Sequence, residues 1–222
     1  MSKILQKDAF TDQARLMPDA RTIIDIGANS GQTSTRYRAI YPGARIHAFE
    51  PFPEAFAQLS AGFENDADVI CHPKAVAEAS GPQTLYSNTM AVTNALSPFR
   101  EDAGQFLPKG VVSAQPIEID ATSLDDFAAA AKVERIDILK MDAQGSETRI
   151  IAGASHMLSK RRIGLVYSEL MFVPVYQTQA RFYEIASMLG AYGYQLFDFY
   201  GFEYGEDGQL KWGDAIFLPQ AG

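Results

Sequence analysis

The chain has 222 residues and a formal net charge of −8, so it is long enough to form one α/β domain with a full core. We expect residues 1–222 to form a single domain. The acidic balance argues against a nucleic-acid partner, because phosphate binding needs clustered lysine and arginine. The single cysteine excludes an internal disulfide, and no apolar run reaches the roughly 18 residues that span a membrane. The N-terminus lacks a signal-peptide pattern, so a cytoplasmic location is expected.

The predicted elements alternate between helices and strands along most of the chain, which implies a parallel sheet with right-handed crossovers. The final two strands, joined by a turn at residues 205–208, instead predict an antiparallel hairpin. A doubly wound, mostly parallel α/β sheet with this ending is the Rossmann-like fold of class I methyltransferases. The predicted helices cover 4–17, 33–41, 53–63, 146–160 and about 182–189, and the strands 22–24, 46–49, 68–71, 83–87, 115–119, 136–142, 163–169, 194–204 and 211–218.

One stretch, residues 88–113, does not fit the alternation. It lies between two predicted strands, shows no periodicity and contains Gly104, Gly110 and two prolines. Irregular segments of this length in a compact domain are usually functional or disordered. We interpret it as an inserted loop that serves either as a lid over the substrate or as a contact in a homo-oligomer.

A glycine turn after the first strand is the most informative local pattern. Residues 25–31, with the sequence DIGANSG, follow an apolar run and lead into a helix. Glu50 closes the next apolar run, where a carboxylate can accept hydrogen bonds from ribose hydroxyls. Together these features predict a nucleoside-cofactor site, whereas the glycines alone would also suit a strand, turn and helix without a ligand.

The spacing of the glycines selects the cofactor. A dinucleotide turn needs Gly-x-Gly-x-x-Gly for the pyrophosphate, whereas Gly27 and Gly31 are spaced Gly-x-x-x-Gly. Asp25 stands just before the turn, where it would repel a pyrophosphate but suits the positive charges of S-adenosylmethionine. We therefore predict S-adenosylmethionine as the cofactor. Its predicted site comprises Asp25, Gly27, Ala28, Asn29, Gly31, Glu50, Pro51 and Asp142.

With these elements placed, the chain resembles the FkbM family of S-adenosylmethionine-dependent methyltransferases. The matching segments are residues 25–31 (DIGANSG), 48–53 (AFEPFP) and 136–147 (IDILKMDAQGSE), with weaker matches to later strands at 168–170 and 214–217. The resemblance implies O-methylation of a hydroxyl on a sugar or secondary metabolite. N-methylation of a small molecule and a non-catalytic module that only binds the cofactor remain alternatives.

One position departs from the family pattern. The family usually has Lys-x-Asp-x-Glu-Gly after the fourth strand, and this chain has Gln144 where the glutamate stands. A glutamine keeps the size and the hydrogen bonding but cannot take a proton. If the glutamate is catalytic in relatives, this chain is an attenuated enzyme or a binding module. If the glutamate only supports the turn, which we favour, the replacement is nearly neutral.

Methyl transfer to a hydroxyl needs alignment and a proton acceptor. Asp142 ends the fourth strand beside the predicted cofactor site and is the first candidate base, although it could instead hold the turn or the cofactor. Lys140 precedes it by two residues and projects from the same face. Glu169 ends the fifth strand, where a solvated acid is the simpler interpretation, and His72 follows the third strand. Both are further catalytic candidates.

No metal site is predicted, so activity is expected to survive a chelator. Magnesium-dependent catechol-type methyltransferases place paired acidic ligands after the fourth and fifth strands, and no such pair is visible here. Asp125 and Asp126 follow Ser123 and indicate a helix N-terminus instead. The expected partner is a small-molecule or glycan acceptor, for which aromatic residues such as Tyr176 offer flat faces.

Overall fold

The computed structural model describes residues 7–220, whose central feature is a seven-stranded sheet between two layers of helices. The strands are β1 Thr22–Ile26, β2 Arg45–Phe49, β3 Val69–His72, β4 Ala75–Val76, β5 Gly81–Asn88, β6 Ser113–Thr122, β7 Ile136–Met141, β8 Ile163–Met171, β9 Tyr194–Tyr204 and β10 Leu210–Pro219. The helices are α1 Ala9–Leu16, α2 Gln32–Ile40, α3 Pro53–Gly62, α4 Leu124–Ala131, α5 Glu147–Ala152, α6 Ser155–Ser159 and α7 Phe182–Ala191.

The strand order of the sheet is β3-β2-β1-β7-β8-β10-β9. β1 pairs in parallel with both β2 and β7, and β7 pairs in parallel with β8. β10 lies between β8 and β9 and is antiparallel to both. The class I methyltransferase fold predicted from the sequence is therefore confirmed, including its C-terminal hairpin.

Alternate residues of the central strands face the two helix layers, which is why these strands read as continuous apolar runs. Ile24 of β1 packs with residues of α4, α5, α6 and α7. Its neighbour Ile23 packs with Phe10 of α1 and Tyr37 of α2 on the opposite face. Burial on both faces holds the strands rigidly, so their carboxyl ends form a fixed edge.

The predicted helix at 146–160 is in fact two short helices, α5 and α6. The helix is interrupted at Gly153, where an added Cβ would lie 2.1 Å from the carbonyl oxygen of Ala77. Asp125 then caps the new helix, because its carboxylate accepts the N–H groups of His156 at 2.7 Å and Met157 at 3.0 Å. This tertiary contact overrides the continuous helical pattern.

Segment 88–113 is less irregular than the sequence predicts. The strands that flank it, β5 and β6, pair as an antiparallel hairpin, and β4, which was not predicted, pairs with β6. Short 3₁₀ turns form at Ala91–Thr93 and Ala103–Gln105. Ala95 and Ala103 are buried against Val173 and Tyr176, which follow β8. The segment is thus anchored at its centre to the edge of the main sheet.

The predicted N-terminal helix at 4–17 is described only in part, since its first residues lie outside the described range. α1 is capped by Asp8, whose carboxylate accepts the N–H of Thr11 at 3.0 Å. Between residues 7 and 220, none of the helices has the length and apolar character needed to cross a bilayer.

Candidate active site

The carboxyl ends of β1, β2, β7 and β8 border a cavity of about 470 Å³. Segment 88–113 and β10 provide much of the opposite wall. From the predicted sites the cavity brings together Gly27, Ala28, Asn29, Glu50, Pro51, Lys140, Asp142 and Glu169. Asp25, Gly31 and His72 lie outside this lining. The site therefore collects most of the predicted cofactor residues and three of the four catalytic candidates.

The turn after β1 lies against both neighbouring strands. Gly27 has φ +73°, and a Cβ on it would lie only 1.8 Å from the carbonyl oxygen of Asp142. The N–H groups of Gly27 and Ala28 donate to the carbonyl of Phe49 at 3.0 and 2.9 Å. Only glycine fits this close approach, so the turn holds a fixed position at the floor of the cavity.

Gly31 ends the same turn as the residue that precedes α2. Its φ is +97°, and an added Cβ would lie 2.8 Å from the ring of Phe63 and 3.0 Å from Leu59. The glycine therefore allows the start of α2 to pack closely against α3. Because Gly31 lies outside the cavity, the need for a glycine here comes from this packing and not from contact with a ligand.

Glu50 is 8% exposed and faces the cavity beside Pro51. Its Oε2 accepts the N–H of Asn29 at 2.9 Å, and its Oε1 accepts the N–H of Phe52 at 2.8 Å. Burial raises the pKa of the carboxyl group. Because each carboxylate oxygen has a second lone pair, Glu50 can accept two further hydrogen bonds from the cavity side.

Lys140 is almost fully buried beneath the cavity floor. Its Nζ lies 3.1 Å from Oδ1 of Asp25 and 3.5 Å from Oδ2 of Asp142, and it donates to the carbonyl of Gly27 at 3.0 Å. Burial works to lower the pKa of Lys140, but the two carboxylates outweigh it and the pKa is raised. The ammonium group is therefore charged, and it interacts with Asp25 below the floor and with Asp142 on the cavity side.

Asp25 lies under the floor, fully buried, and reaches the cavity only through Lys140. Its Oδ2 accepts the hydroxyl of Ser34 in α2 at 2.7 Å. Asp25 thus connects β1 to β7 through Lys140 and to α2 through Ser34. This arrangement gives it a positioning role toward Lys140 instead of the direct cofactor contact that the sequence suggested.

Gln144 connects two of the carboxyl groups that line the cavity, those of Asp142 and Glu169. Its Nε2 lies 3.0 Å from Oδ1 of Asp142 and 2.9 Å from Oε2 of Glu169. Asp142 remains half-buried and open to the cavity. The residue that breaks the family pattern is therefore at the centre of the site, where it orients both candidate acids.

Glu169 is a half-buried member of this cluster, so its interpretation as a solvated strand-end acid is wrong. Burial raises the pKa of its carboxyl group well above the usual range, and the charges of Asp142, Glu147 and Asp214 add to the effect. Glu169 therefore retains a proton at pH values where an exposed glutamate is ionised.

Glu147 is a buried acid beside the site, and the sequence did not assign it a role. Its Oε1 accepts the N–H groups of Ala143 at 3.0 Å and Gly145 at 3.3 Å. The turn it holds has positive φ at both Gln144 and Gly145, +51° and +90°. Burial raises the pKa of Glu147 to about 7. A carboxylate at the first position of α5, directly after the turn, was the available signal.

His72 is not brought to the carboxyl pair. Its ring stacks on Phe49 with centroids 4.4 Å apart, and its Nε2 lies 3.1 Å from Nδ1 of His47. Burial lowers the pKa of His72 to about 4. The two histidines form a packed pair beside Phe127, so the position of His72 does not suit the role of base.

The side of the cavity opposite the glycine turn is largely apolar. Met90 and Val92 are 38% and 55% exposed at its rim. The other residues on this side are Thr93, Asn94, Ala95, Leu96, Leu107, Pro108, Met171, Tyr176 and Trp212. This wall offers apolar and aromatic contact area together with two short polar side chains, which suits an organic acceptor.

Within the part of the chain that the structure describes, no group of three or more histidine, cysteine, aspartate or glutamate side chains is arranged to hold a metal ion. Asp125 and Asp126 lie at the start of α4, as predicted, with Ser123 as the cap. Independence from metal remains a prediction.

Comparison with known proteins decides between the cofactor classes that such a fold can serve. A family model described as the methyltransferase FkbM domain matches residues 25–196. The chain belongs to the FkbM methyltransferase family. Membership confirms the predicted family, and it makes S-adenosylmethionine the methyl donor of this methyltransferase.

Relatives of this FkbM-family chain include two bacterial methyltransferases. It is 26% identical over 184 residues to the 2-O-methyltransferase NoeI of Sinorhizobium fredii, a match that covers 77% of this chain and 71% of NoeI. It is 27% identical over 184 residues to the 31-O-demethyl-FK506 methyltransferase FkbM of Streptomyces tacrolimicus, covering 68% of each chain.

Solved structures share the fold of this FkbM-family methyltransferase at low sequence identity. The magnesium protoporphyrin IX methyltransferase ChlM from Synechocystis matches with a TM-score of 0.52 at 12% identity, over 95% of this chain and 77% of that one. Fibrillarin from Aeropyrum pernix matches with a TM-score of 0.50 at 12% identity, over 94% of this chain and 74% of that one.

Proposed function

We propose that this methyltransferase transfers a methyl group to a hydroxyl of a sugar or secondary metabolite. The observation that carries the proposal is the carboxyl pair of Asp142 and Glu169 in the same cavity as Glu50 and the glycine turn. The names of two relatives, a 2-O-methyltransferase and a 31-O-demethyl-FK506 methyltransferase, support oxygen as the methylated atom. An alcohol needs such an acid–base group because its neutral hydroxyl is a poor nucleophile.

The residues on the glycine-turn side fit S-adenosylmethionine. Glu50 has free lone pairs for the ribose hydroxyls, and the backbone from Gly27 to Asn29 allows close approach of the ligand. Pro51 lines the cavity beside them. Bound S-adenosylmethionine supplies a methyl group activated by a positive sulfonium.

Asp142 is the proposed proton acceptor. The amide nitrogen of Gln144 donates to its Oδ1 at 3.0 Å, and its Oδ2 lies 3.5 Å from Nζ of Lys140, so the side chain is held in a fixed orientation. We infer that the acceptor hydroxyl would pass its proton to Oδ2 while its oxygen bonds to the methyl carbon. The bond between that carbon and the sulfonium sulfur would break in the same step and leave S-adenosylhomocysteine as the second product. Glu169 retains its own proton, so it can hold the hydroxyl oxygen from the other side by donating a hydrogen bond.

The cofactor part of the proposal is tested by Glu50→Ala. Loss of a carboxylate that accepts two ribose hydrogen bonds should weaken binding of S-adenosylmethionine about 10- to 100-fold. Isothermal titration calorimetry with S-adenosylmethionine and S-adenosylhomocysteine measures this effect. Glu54→Ala is the matched control, because it removes the same type of side chain from an exposed position on α3.

An unchanged affinity in Glu50→Ala would contradict the assignment of Glu50. Tight binding of NAD without binding of S-adenosylmethionine would contradict the whole proposal. A protein that binds S-adenosylmethionine but methylates none of a broad panel of sugars, polyketides and amines would favour the cofactor-binding module instead.

We further propose that the first part of segment 88–113 controls access of the acceptor. Met90 and Val92 are exposed at the rim, whereas Ala95 and Ala103 are anchored in a small core. Amides of residues 89–94 should therefore exchange hydrogen faster than those of β7, and exchange should slow when S-adenosylhomocysteine and acceptor are bound. Hydrogen exchange followed by mass spectrometry measures this, with the 205–208 turn as an exposed control. Uniformly slow exchange in the free protein would identify fixed structure or a subunit contact.

A further inference from the structure

Gln144 uses every polar atom of its side chain. Its two N–H groups lie against Asp142 and Glu169, and its Oε1 lies 3.0 Å from the hydroxyl of Tyr176. An ionised carboxylate can only accept hydrogen bonds, so the nitrogen must face the carboxyl pair and the oxygen must face the phenol. A glutamate in this position would present an acceptor where the pair needs a donor.

Tyr176 is 2% exposed and extends this network to segment 88–113. Its hydroxyl lies 2.8 Å from the carbonyl oxygen of Thr93, in addition to its contact with Gln144. A phenol has a single proton, so it can fully serve only one of these two acceptors at a time. The carbonyl oxygen of Thr93 also accepts a hydrogen bond from the side-chain amide of Asn88. This carbonyl therefore keeps a partner when the phenol donates to Gln144 instead.

We propose that Gln144 is a positioning residue that holds the Asp142–Glu169 carboxyl pair and, through Tyr176, couples that pair to the Thr93 turn. The inference rests on the proposed function, in which the pair handles the proton of the acceptor and the turn lines the acceptor wall. A movement of the turn toward an acceptor frees Tyr176 to donate fully to Gln144. The amide is then held more firmly against the carboxyl pair, so acceptor binding and alignment of the base occur together.

The charges around the pair give the coupling a measurable signature. The titratable groups that face Glu169 are Asp142, Lys140, Glu147, Asp214 and Tyr176. Gln144 donates to the ionised form of the pair, so its removal should make the pair retain its proton to higher pH. Gln144→Met keeps the length of the side chain and removes all of its hydrogen bonds.

The first test follows the carboxyl carbons of ¹³C-labelled glutamate and aspartate by NMR during a pH titration with S-adenosylhomocysteine bound. Glu169 should titrate at higher pH in Gln144→Met than in the wild type, and Gln144→Glu should change the titration in the same direction by adding an acid. Gln195→Met, on the exposed face of β9, is the control and should match the wild type. The same titration of Glu169 in the wild type and in both Gln144 variants would overturn the proposal.

The second test examines the link to the turn. Tyr176→Phe removes only the hydroxyl and should speed hydrogen exchange at the amides of Thr93 and Ala95 about fivefold to tenfold, the effect of one lost hydrogen bond. The same change should also shift the titration of Glu169. Tyr183→Phe, which alters an exposed tyrosine, is the control.

Unchanged exchange and an unchanged titration in Tyr176→Phe would overturn the coupling. Both tests are independent of turnover, so they can fail while S-adenosylhomocysteine still binds, and that result would leave the proposed function intact. Failure of the wild-type protein to bind S-adenosylhomocysteine would instead contradict the proposed function.

Discussion

Gly27→Ala is expected to lower the free energy of unfolding by about 3 kcal/mol or more and to abolish cofactor binding. The new Cβ would lie 1.8 Å from the carbonyl oxygen of Asp142, and the residue would also have to keep a φ of +73°. Relief requires β1 and β7 to separate at their carboxyl ends. That movement would displace Lys140, which donates to the carbonyl of Gly27. Urea denaturation followed by circular dichroism measures the loss.

Gly62→Ala provides the control for this substitution. No atom lies within 4 Å of a Cβ at Gly62, the last residue of α3, so the change should be neutral or slightly stabilising. Retention of wild-type stability and cofactor affinity by Gly27→Ala would show that the turn is more adaptable than its packing indicates. Lost affinity with unchanged stability would locate the effect in the cofactor site alone.

The architecture could be predicted from the sequence because each signal for it is local. The strands β1, β7 and β8 are continuous apolar runs, Ser123 caps a helix, and glycines mark the hairpin turn. Each of these patterns is complete within a few neighbouring residues. The short strand β4 was missed because two residues carry no periodicity. The break between α5 and α6 was missed because its cause, the contact of Gly153 with Ala77, is distant in sequence.

The candidate site was predicted less completely, since position along a strand does not fix what a side chain faces. Glu50 and Asp142 reach the cavity because each follows a parallel strand at its carboxyl end. Asp25 is within its strand and points beneath the floor, and His72 turns toward His47. No sequence rule shows that Gln144, Tyr176 and Thr93 meet, because loops far apart in the chain bring them together.

The network around Gln144 also revises the meaning of the departure from the family pattern. The sequence favoured a nearly neutral replacement, since glutamine has the size of glutamate. In the structure both amide hydrogens face carboxyl groups, so the chemical identity of the side chain matters. Because the amide orients the two acids and leaves Asp142 open to the cavity, the replacement is compatible with a working acid–base pair.

Asp142→Asn is the substitution that best separates catalysis from binding. An amide keeps the shape of the side chain but cannot accept a proton, so kcat should fall about 100-fold or more with any hydroxyl acceptor that supports turnover. Affinity for S-adenosylhomocysteine should stay within about threefold of the wild type, because the proposed ribose contacts belong to Glu50. Transfer of a labelled methyl group measures turnover, and calorimetry measures binding.

Asp120→Asn removes the same charge from an exposed position on β6 and should leave both quantities unchanged. If Asp142→Asn weakens binding and turnover by the same factor, Asp142 holds the cofactor and is not the base. If turnover survives, the proton must leave by another group, and Glu169→Gln becomes the decisive variant because Glu169 is the remaining acid in contact with Gln144. We expect loss of turnover in Asp142→Asn together with a modest loss in Glu169→Gln. Asp142 is the proposed proton acceptor, whereas Glu169 retains its own proton and only holds the hydroxyl.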